Sequence, residues 1–451
     1  MEVSSTIKDA IAQMIGDSNV FAKETIDENW TYQISQTVAA DTAIACVAFP
    51  NTPEELAAIL TYAHHQQYPV LPCGNGSKLS WGGIIQVKQK PDPSPIPYPL
   101  LVVSTSRLDR LIDHAVGDLT VTVDAGMKFA ELQQILAKAG QFLAIDPTYP
   151  DQATIGGIVA TADTGSLRQR YNSVRDMLLG ISFVRADGQV AKAGGRVVKN
   201  VAGYDLMKLF TGSYGTLGIL TQLTFRVYPL PQASQTIVLT GAAPAIAQLN
   251  QTILKSSLTP VSVDLISASV VQQLGIGAGI GLVARFQSIA ASVQEQTSKV
   301  FALGQSFQVS SQTFVDEAEI AFWQRLQDCM TPATTTGAIA CKIGIQPSQT
   351  IELLQADQLS HPGWYAQIHA ASGLGKLFIQ DACITPTALT QIRAICEENR
   401  GFLTILEAPI AFKQQIEVWG YSGNALSLMR QIKQQFDPSD RLSPHRFVGG
   451  I

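Results

Sequence analysis

A short loop limits what this chain can fold into more than any other feature. Pro72, Cys73, Gly74, Asn75, Gly76, Ser77, Lys78, Leu79 and Ser80 follow one another at the end of an apolar strand. Gly74 and Gly76 lack Cβ atoms and accept positive φ, so successive backbone N–H groups can turn toward one anion. Ser77 and Ser80 add hydroxyl donors. A hydrogen bond to a charged oxygen contributes about 1.5–3 kcal/mol, so three or four of them hold a pyrophosphate without a lysine. Two common phosphate loops do not fit. Ser77 stands where the P-loop needs lysine, and Leu79 where the dinucleotide fingerprint needs its last glycine.

The surroundings deliver the chain into this loop. Residues 45–49 form an apolar strand closed by Pro50. Thr52, Pro53 and Glu55 then supply a cap, a first-turn proline and a capping glutamate. Leu56, Ile59, Leu60 and Ala63 give the helix an inward stripe, and residues 68–71 read as the next strand. A second loop begins with Asp146 and Pro147 and continues through Thr154, Ile155, Gly156, Gly157, Ile158, Val159, Ala160 and Thr161 to Gly165. Paired glycines followed by small and β-branched residues form a poor free helix. They suit a segment lying flat against a planar ligand. A third glycine-spaced run, residues 212–219, includes Tyr214, Gly218 and Ile219 and enters a strand. Asp187 and Gly188 mark a hairpin turn. Pro229, Leu230 and Pro231 form the best boundary, beyond which residues 232–420 alternate strands and helices in an α+β pattern.

Composition narrows the partners. Charged residues are 15% of the 451-residue chain, against about 25% in a typical soluble protein, which hints at a covered surface and a stable complex. A formal charge of −5 without a basic run argues against nucleic acid and against an anionic membrane surface. No run of about 18 apolar residues spans a bilayer. The six cysteines show no C-x-x-C pair, which suits free thiols in a reducing compartment and gives no Fe–S or zinc signature. A cytoplasmic protein is expected, associated with a membrane only through a partner.

Taken in order, the three loops resemble the FAD-binding domain of the vanillyl-alcohol oxidase/p-cresol methylhydroxylase superfamily, over roughly residues 43–231. The run Gly194, Gly195, Arg196, Val197, Val198, Lys199, Asn200, Val201, Ala202, Gly203, Tyr204, Asp205, Leu206 is similar to its 2-hydroxy-acid dehydrogenase branch. With Val418, Trp419, Gly420 and residues 429–451, it looks most like the FAD-binding (E-type) subunits of bacterial glycolate oxidases. The resemblance implies an α+β protein with a two-lobed, PCMH-type FAD domain and an antiparallel-sheet cap. Its divisions are a 1–42 extension, a 43–231 FAD domain, a 232–420 cap and a 421–451 helix and tail returning toward the FAD domain. It implies FAD held by Pro72, Gly74, Asn75, Gly76, Ser77, Lys78, Ser80, Asp146, Pro147, Thr154, Gly156, Gly157, Ala160, Thr161, Gly165, Gly218 and Ile219. Residues 72–83 contain no histidine, where some relatives attach flavin covalently, so dissociable FAD is expected.

The catalytic end departs from the family. Many relatives carry a late H-x-x-x-G-D-G-N-x-H run whose histidines hold a divalent metal. Here His369 is followed by Ala370, Ala371, Ser372, Gly373, Leu374, Gly375 and Lys376, and one imidazole does not build a metal site. His369 as a base, or as a strand histidine with a backbone partner, and Lys199 as an anion contact are the catalytic candidates; Arg168, Arg170, Arg175, His445 and Arg446 are weaker ones. Three readings stay open. The chain oxidises a small 2-hydroxy acid such as glycolate or D-lactate, or it relays electrons beside a catalytic flavoprotein paralogue and an Fe–S subunit, or it is an independent alcohol oxidase.

Overall fold

Two units make up the chain in the computed structural model, which describes residues 2–87, 98–196, 203–331, 337–380 and 384–451. The first comprises Met1–Asp163, Ser173–Pro229 and Tyr421–Ile451; the second comprises Thr164–Asn172 and Leu230–Gly420.

The first unit is organised around the helix Pro53–Gln66. Thr52 Oγ1 accepts from the Glu55 N–H at 3.1 Å, and Glu55 reaches back to the Asn51 N–H at 2.7 Å. This reciprocal cap fixes where the helix starts. Its inward stripe, Leu56, Ile59, Leu60 and Ala63, is buried on a four-stranded sheet. The strands run in the order Val20–Phe21, Ile44–Ala48, Leu100–Ser104, Val70–Cys73. The last three are mutually parallel, so their carboxyl ends open on one edge. That edge is where open α/β sheets place ligands.

The N-terminal residues are not a separate extension. The helix Glu2–Ile15 buries Ile7, Ile11 and Ile15 in the same core as the capped helix. A five-stranded antiparallel sheet forms the second lobe, in the order Leu111–Ala115, Thr120–Asp124, Ile219–Arg226, Leu178–Val184, Val190–Gly194. Gly188, at φ 84°, closes the hairpin between its last two strands. The C-terminal helix Leu426–Phe436 belongs to this unit too, and Leu442 forms a parallel bridge with Val70 at the edge of the first sheet.

The second unit is one eight-stranded antiparallel sheet. Its order is Ser310–Val315, Ala233–Gly241, Ile280–Ser288, Ser262–Ile266, Trp364–His369, Leu374–Ile379, Ile339–Gly344, Phe402–Glu407. Strand alternation sorts its side chains. Val263, Leu265, Ala366, Ile368, Leu377, Cys341 and Ile343 point to one face, under the helices Ala243–Lys255, Ala290–Ser306 and Pro386–Glu398. The opposite face is apolar at Val238, Val283, Tyr365 and Phe378, under the helices Ala268–Leu274 and Asp316–Cys329. Between these, alternation puts Asp264, Gln367, His369, Lys376 and Lys342 on that same opposite face.

Ile11 is 0% exposed, so Ile11→Ala should destabilise the first unit by about 2–5 kcal/mol. Chemical denaturation followed by circular dichroism measures this, and a negligible change would place the helix outside the core.

Candidate functional site

Three loops meet at the carboxyl edge of the parallel strands. The chain leaves Cys73, and the Ser104 hydroxyl takes up the Gly74 carbonyl at 2.7 Å. Thr105 donates to the Cys73 carbonyl from its N–H at 2.9 Å and its hydroxyl at 3.2 Å. With these carbonyls occupied, the N–H groups of Asn75, Gly76 and Ser77 hydrogen-bond to nothing among the described residues. Three successive donors without partners fit an anionic ligand, because half-buried amides otherwise lose the bond that water would give them.

The second loop folds as a helix, Ile155–Thr161, rather than lying flat. Thr154 Oγ1 accepts from the Gly157 N–H at 3.2 Å and caps it. Tertiary packing overrides the weak helix propensity of the glycine pair. A Cβ on Gly74 would collide with the Thr154 side chain, so only glycine lets the first loop approach the second this closely. The third loop attaches to the same helix through Gly212 N–H to Val159 O at 2.9 Å and Tyr214 N–H to Ala160 O at 2.8 Å. A Cβ on Gly215 would sit 2.6 Å from Pro72 Cγ. The three loops thus line one open cleft.

Buried charges tie these loops together. Arg446 donates to the Leu79 carbonyl at 2.7 Å, to Trp81 at 3.2 Å and to Lys78 at 3.3 Å. Burial brings its guanidinium down to about 10, which leaves it charged at neutral pH. Lys78 pairs with Asp163 at 2.8 Å, and Asp163 accepts the Thr148 N–H at 2.7 Å. Lys433, on the C-terminal helix, donates to the Thr216 carbonyl in the third loop at 3.0 Å and to Leu442 at 2.8 Å.

Pro72, Gly74, Asn75, Gly76, Ser77, Lys78, Thr154, Gly156, Gly157, Ala160, Thr161, Gly218 and Ile219 all line the cleft. Ser80, Asp146 and Pro147 do not, and Gly165 falls in the second unit. Lys199 lies outside the described residues. Thr105 and Leu220 line the cleft from outside the three loops that the sequence singles out, and Arg446, which the sequence offers as a tail residue folding back onto the flavin domain or simply anchoring the tail, lines it too. Cys73 also lines the cleft. Burial pushes its thiol up to about 12, although Arg446 acts in the opposite direction.

His369 sits in the second unit. Asp264 and His369 are opposite one another on adjacent antiparallel strands, and His369 Nδ1 lies 2.7 Å from Asp264 Oδ1. Gln367 Nε2 donates to Asp264 Oδ2 and to Ser166 Oγ, each at 3.0 Å. The histidine partner is therefore a buried carboxylate and not a backbone group. Among the described residues no cluster of three His, Cys, Asp or Glu side chains is arranged to hold a metal ion.

These features belong to a domain of the FAD-binding kind. Residues 44–194 match the family model described as an FAD binding domain. The crystal structure of p-cresol methylhydroxylase with substrate bound superposes with a TM-score of 0.71 at 13% identity, covering 98% of this chain and 96% of that one. Alkyldihydroxyacetonephosphate synthase gives 0.66 at 17% identity, over 90% of this chain and 77% of the other. Such identities establish the fold alone.

More particularly, the chain is similar to glycolate oxidase subunits and D-lactate dehydrogenases. The mitochondrial D-lactate dehydrogenase (cytochrome) of Arabidopsis thaliana is 25% identical over 431 residues, 89% of this chain and 73% of the relative. Glycolate oxidase subunit GlcE of Escherichia coli is 40% identical over 125 residues, 28% of this chain and 36% of the relative. Subunit GlcD of Bacillus subtilis is 26% identical over 281 residues, 62% of this chain and 57% of the relative.

Arg446→Met should leave three loop carbonyls without their donor, at about 1–3 kcal/mol for each unsatisfied group. The variant is expected to purify with substoichiometric flavin, read from its absorbance, whereas full occupancy would show that the loop holds its shape unaided. With the Cys73 thiol raised to about 12, it stays protonated at pH 8. Iodoacetamide should then alkylate Cys73 only after unfolding, which peptide mass spectrometry detects.

Proposed function

We propose that this chain is the FAD-binding subunit of a complex that oxidises a small 2-hydroxy acid, glycolate or D-lactate, and passes the electrons to a partner. The observation that carries this reading is the row of three partnerless amides at Asn75, Gly76 and Ser77, in a cleft lined by the FAD-domain loops. Similarity to a named glycolate oxidase subunit over 125 residues supports the substrate class. When bound, FAD supplies the acceptor for the hydride that leaves the substrate α-carbon.

The protein's own part is binding and proton handling. Asn75, Gly76, Ser77 and Thr154 would hold the pyrophosphate region, with Gly156, Gly157, Gly218 and Ile219 against the rest of the cofactor. His369 is the candidate base, its Nδ1 occupied by Asp264 and its Nε2 left to accept the substrate hydroxyl proton. Among the described residues no histidine lines the cleft, which supports FAD held without a covalent link. Acid precipitation should therefore release all the flavin into the supernatant.

A second reading, electron relay beside a catalytic flavoprotein paralogue with an Fe–S subunit, is favoured by one observation. His369 is the only histidine in the stretch that resembles the relatives' metal-binding run. Anaerobic addition of glycolate or D-lactate to the purified, flavin-loaded chain separates the two. The first reading predicts rapid bleaching of the flavin absorbance. Bleaching that requires an added partner subunit supports the relay, and absence of any bound flavin removes both.

A further inference from the structure

A cluster in the second unit orients one arginine while leaving most of its hydrogen-bonding capacity unused. Arg285 lies on the strand Ile280–Ser288, opposite Thr236 on one neighbouring strand and Ser262 on the other. Its Nε–H is shared between Glu319 Oε1 at 3.0 Å and Ser234 Oγ at 3.1 Å. Glu319, on the helix Asp316–Cys329, is 2% exposed, and the same oxygen accepts from Ser234 Oγ at 2.9 Å and Thr236 Oγ1 at 2.6 Å. Trp323 closes the cluster. Its Nε1 donates to Thr236 Oγ1 at 2.8 Å, and its ring centre lies 5.4 Å from the guanidinium carbon.

A guanidinium carries five N–H groups. One is used here, and those on Nη1 and Nη2 hydrogen-bond to nothing among the described residues. The side chain is 23% exposed, which leaves this fork within reach of a small ion. Two polar groups beside it are buried without partners among the described residues. The Gln287 amide donates to Ser234 Oγ at 3.3 Å with one end, and its other end bonds to nothing. The hydroxyl of Ser262, a residue 1% exposed, is also unbonded. A buried polar group left unpaired costs about 1–3 kcal/mol, so their position around a guanidinium already aimed suits a polar ligand.

We propose that Arg285 and Gln287 form a binding site for the monoanion of a small hydroxy acid. The planar Nη1–Nη2 edge takes both carboxylate oxygens at once. The free end of the Gln287 amide takes the hydroxyl, which both donates and accepts. Ser234 Oγ accepts from both side chains, so amide and guanidinium are held side by side. Glu319 supplies selectivity. Its carboxylate lies against the guanidinium, and a dianion such as phosphate meets more repulsion there than a monocarboxylate does. All these residues belong to the second unit, and the site does not depend on the oxidation proposed above.

The test reads Arg285 itself. Phenylglyoxal condenses with the Nη nitrogens of accessible arginines, and peptide mass spectrometry of the chain as purified reports the extent at each one. The probe is 2-hydroxy-2-methylpropanoate, which has the carboxylate and the hydroxyl but no α-hydrogen to give to a flavin. Saturable protection of Arg285 is expected. The analogue without the hydroxyl, 2-methylpropanoate, should need about 3–10-fold more, the worth of one neutral hydrogen bond. Gln287→Leu should erase that difference while leaving Arg285 reactive. Glu319→Gln keeps an acceptor oxygen for Nε and removes the charge, so phosphate, without effect on the wild type, should then protect.

An Arg285 that resists phenylglyoxal overturns the open fork, and modification indifferent to the hydroxy acid overturns the site. Equal protection of the wild type by phosphate or by 2-methylpropanoate overturns the assigned ligand class. Protection of Arg285 in a flavin-loaded chain that neither glycolate nor D-lactate bleaches removes the oxidation proposed above and leaves this site standing.

Discussion

The guanidinium of Arg446 is the contact on which the cofactor cleft depends. It donates to three carbonyls of the loop Lys78–Trp81, which pins the stretch directly after Asn75, Gly76 and Ser77. The tail that carries it is itself anchored. Val70 donates to the Arg441 carbonyl at 2.8 Å, and Ser443 donates to Val70 at 2.9 Å, which adds the tail to the edge of the parallel sheet. A loop with two glycines pays a high entropic cost to hold one shape. Distant parts of the chain meet that cost here, since the guanidinium arrives from more than 360 residues downstream.

The buried pair Lys78–Asp163 plays a related part. Such pairs contribute little net stability, because desolvating two charges offsets their attraction. Their geometry is nevertheless specific. Asp163 binds Lys78 from the first loop and the Thr148 N–H from the stretch before the second, so it sets the spacing between them. Close glycine contacts then decide what can line the cleft: Gly74 lets Thr154 in, and Gly215 lets Pro72 in.

Much of this was legible in the sequence where local chemistry dominates. The cap at Thr52, Pro53 and Glu55 specified the first long helix, and apolar runs marked several strands of the second unit, among them Ser262–Ile266 and Trp364–His369. The proline cluster at residues 229–231 coincides with the passage between units. Thirteen of the expected cofactor residues line the cleft, because glycine spacing marks backbone that approaches a ligand. Long-range pairing was not legible. Nothing near Arg446 announces that it will meet Lys78, and no local signal transfers residues 164–172 to the second unit. Asp264 is unremarkable within Ser262–Ile266 until the sheet register sets it opposite His369. The paired glycines at 156 and 157 misled in one respect, since Thr154 caps them into a helix.

With three successive amides at Asn75, Gly76 and Ser77 to hold a pyrophosphate, the phosphate cradle would contribute more to cofactor affinity than the flavin ring. Isothermal titration of the apoprotein with FAD, FMN and riboflavin tests that directly. Amides at Asn75, Gly76 and Ser77 that bind a pyrophosphate predict FAD far tighter than FMN, with riboflavin weakest. Equal affinity for FAD and riboflavin would contradict it.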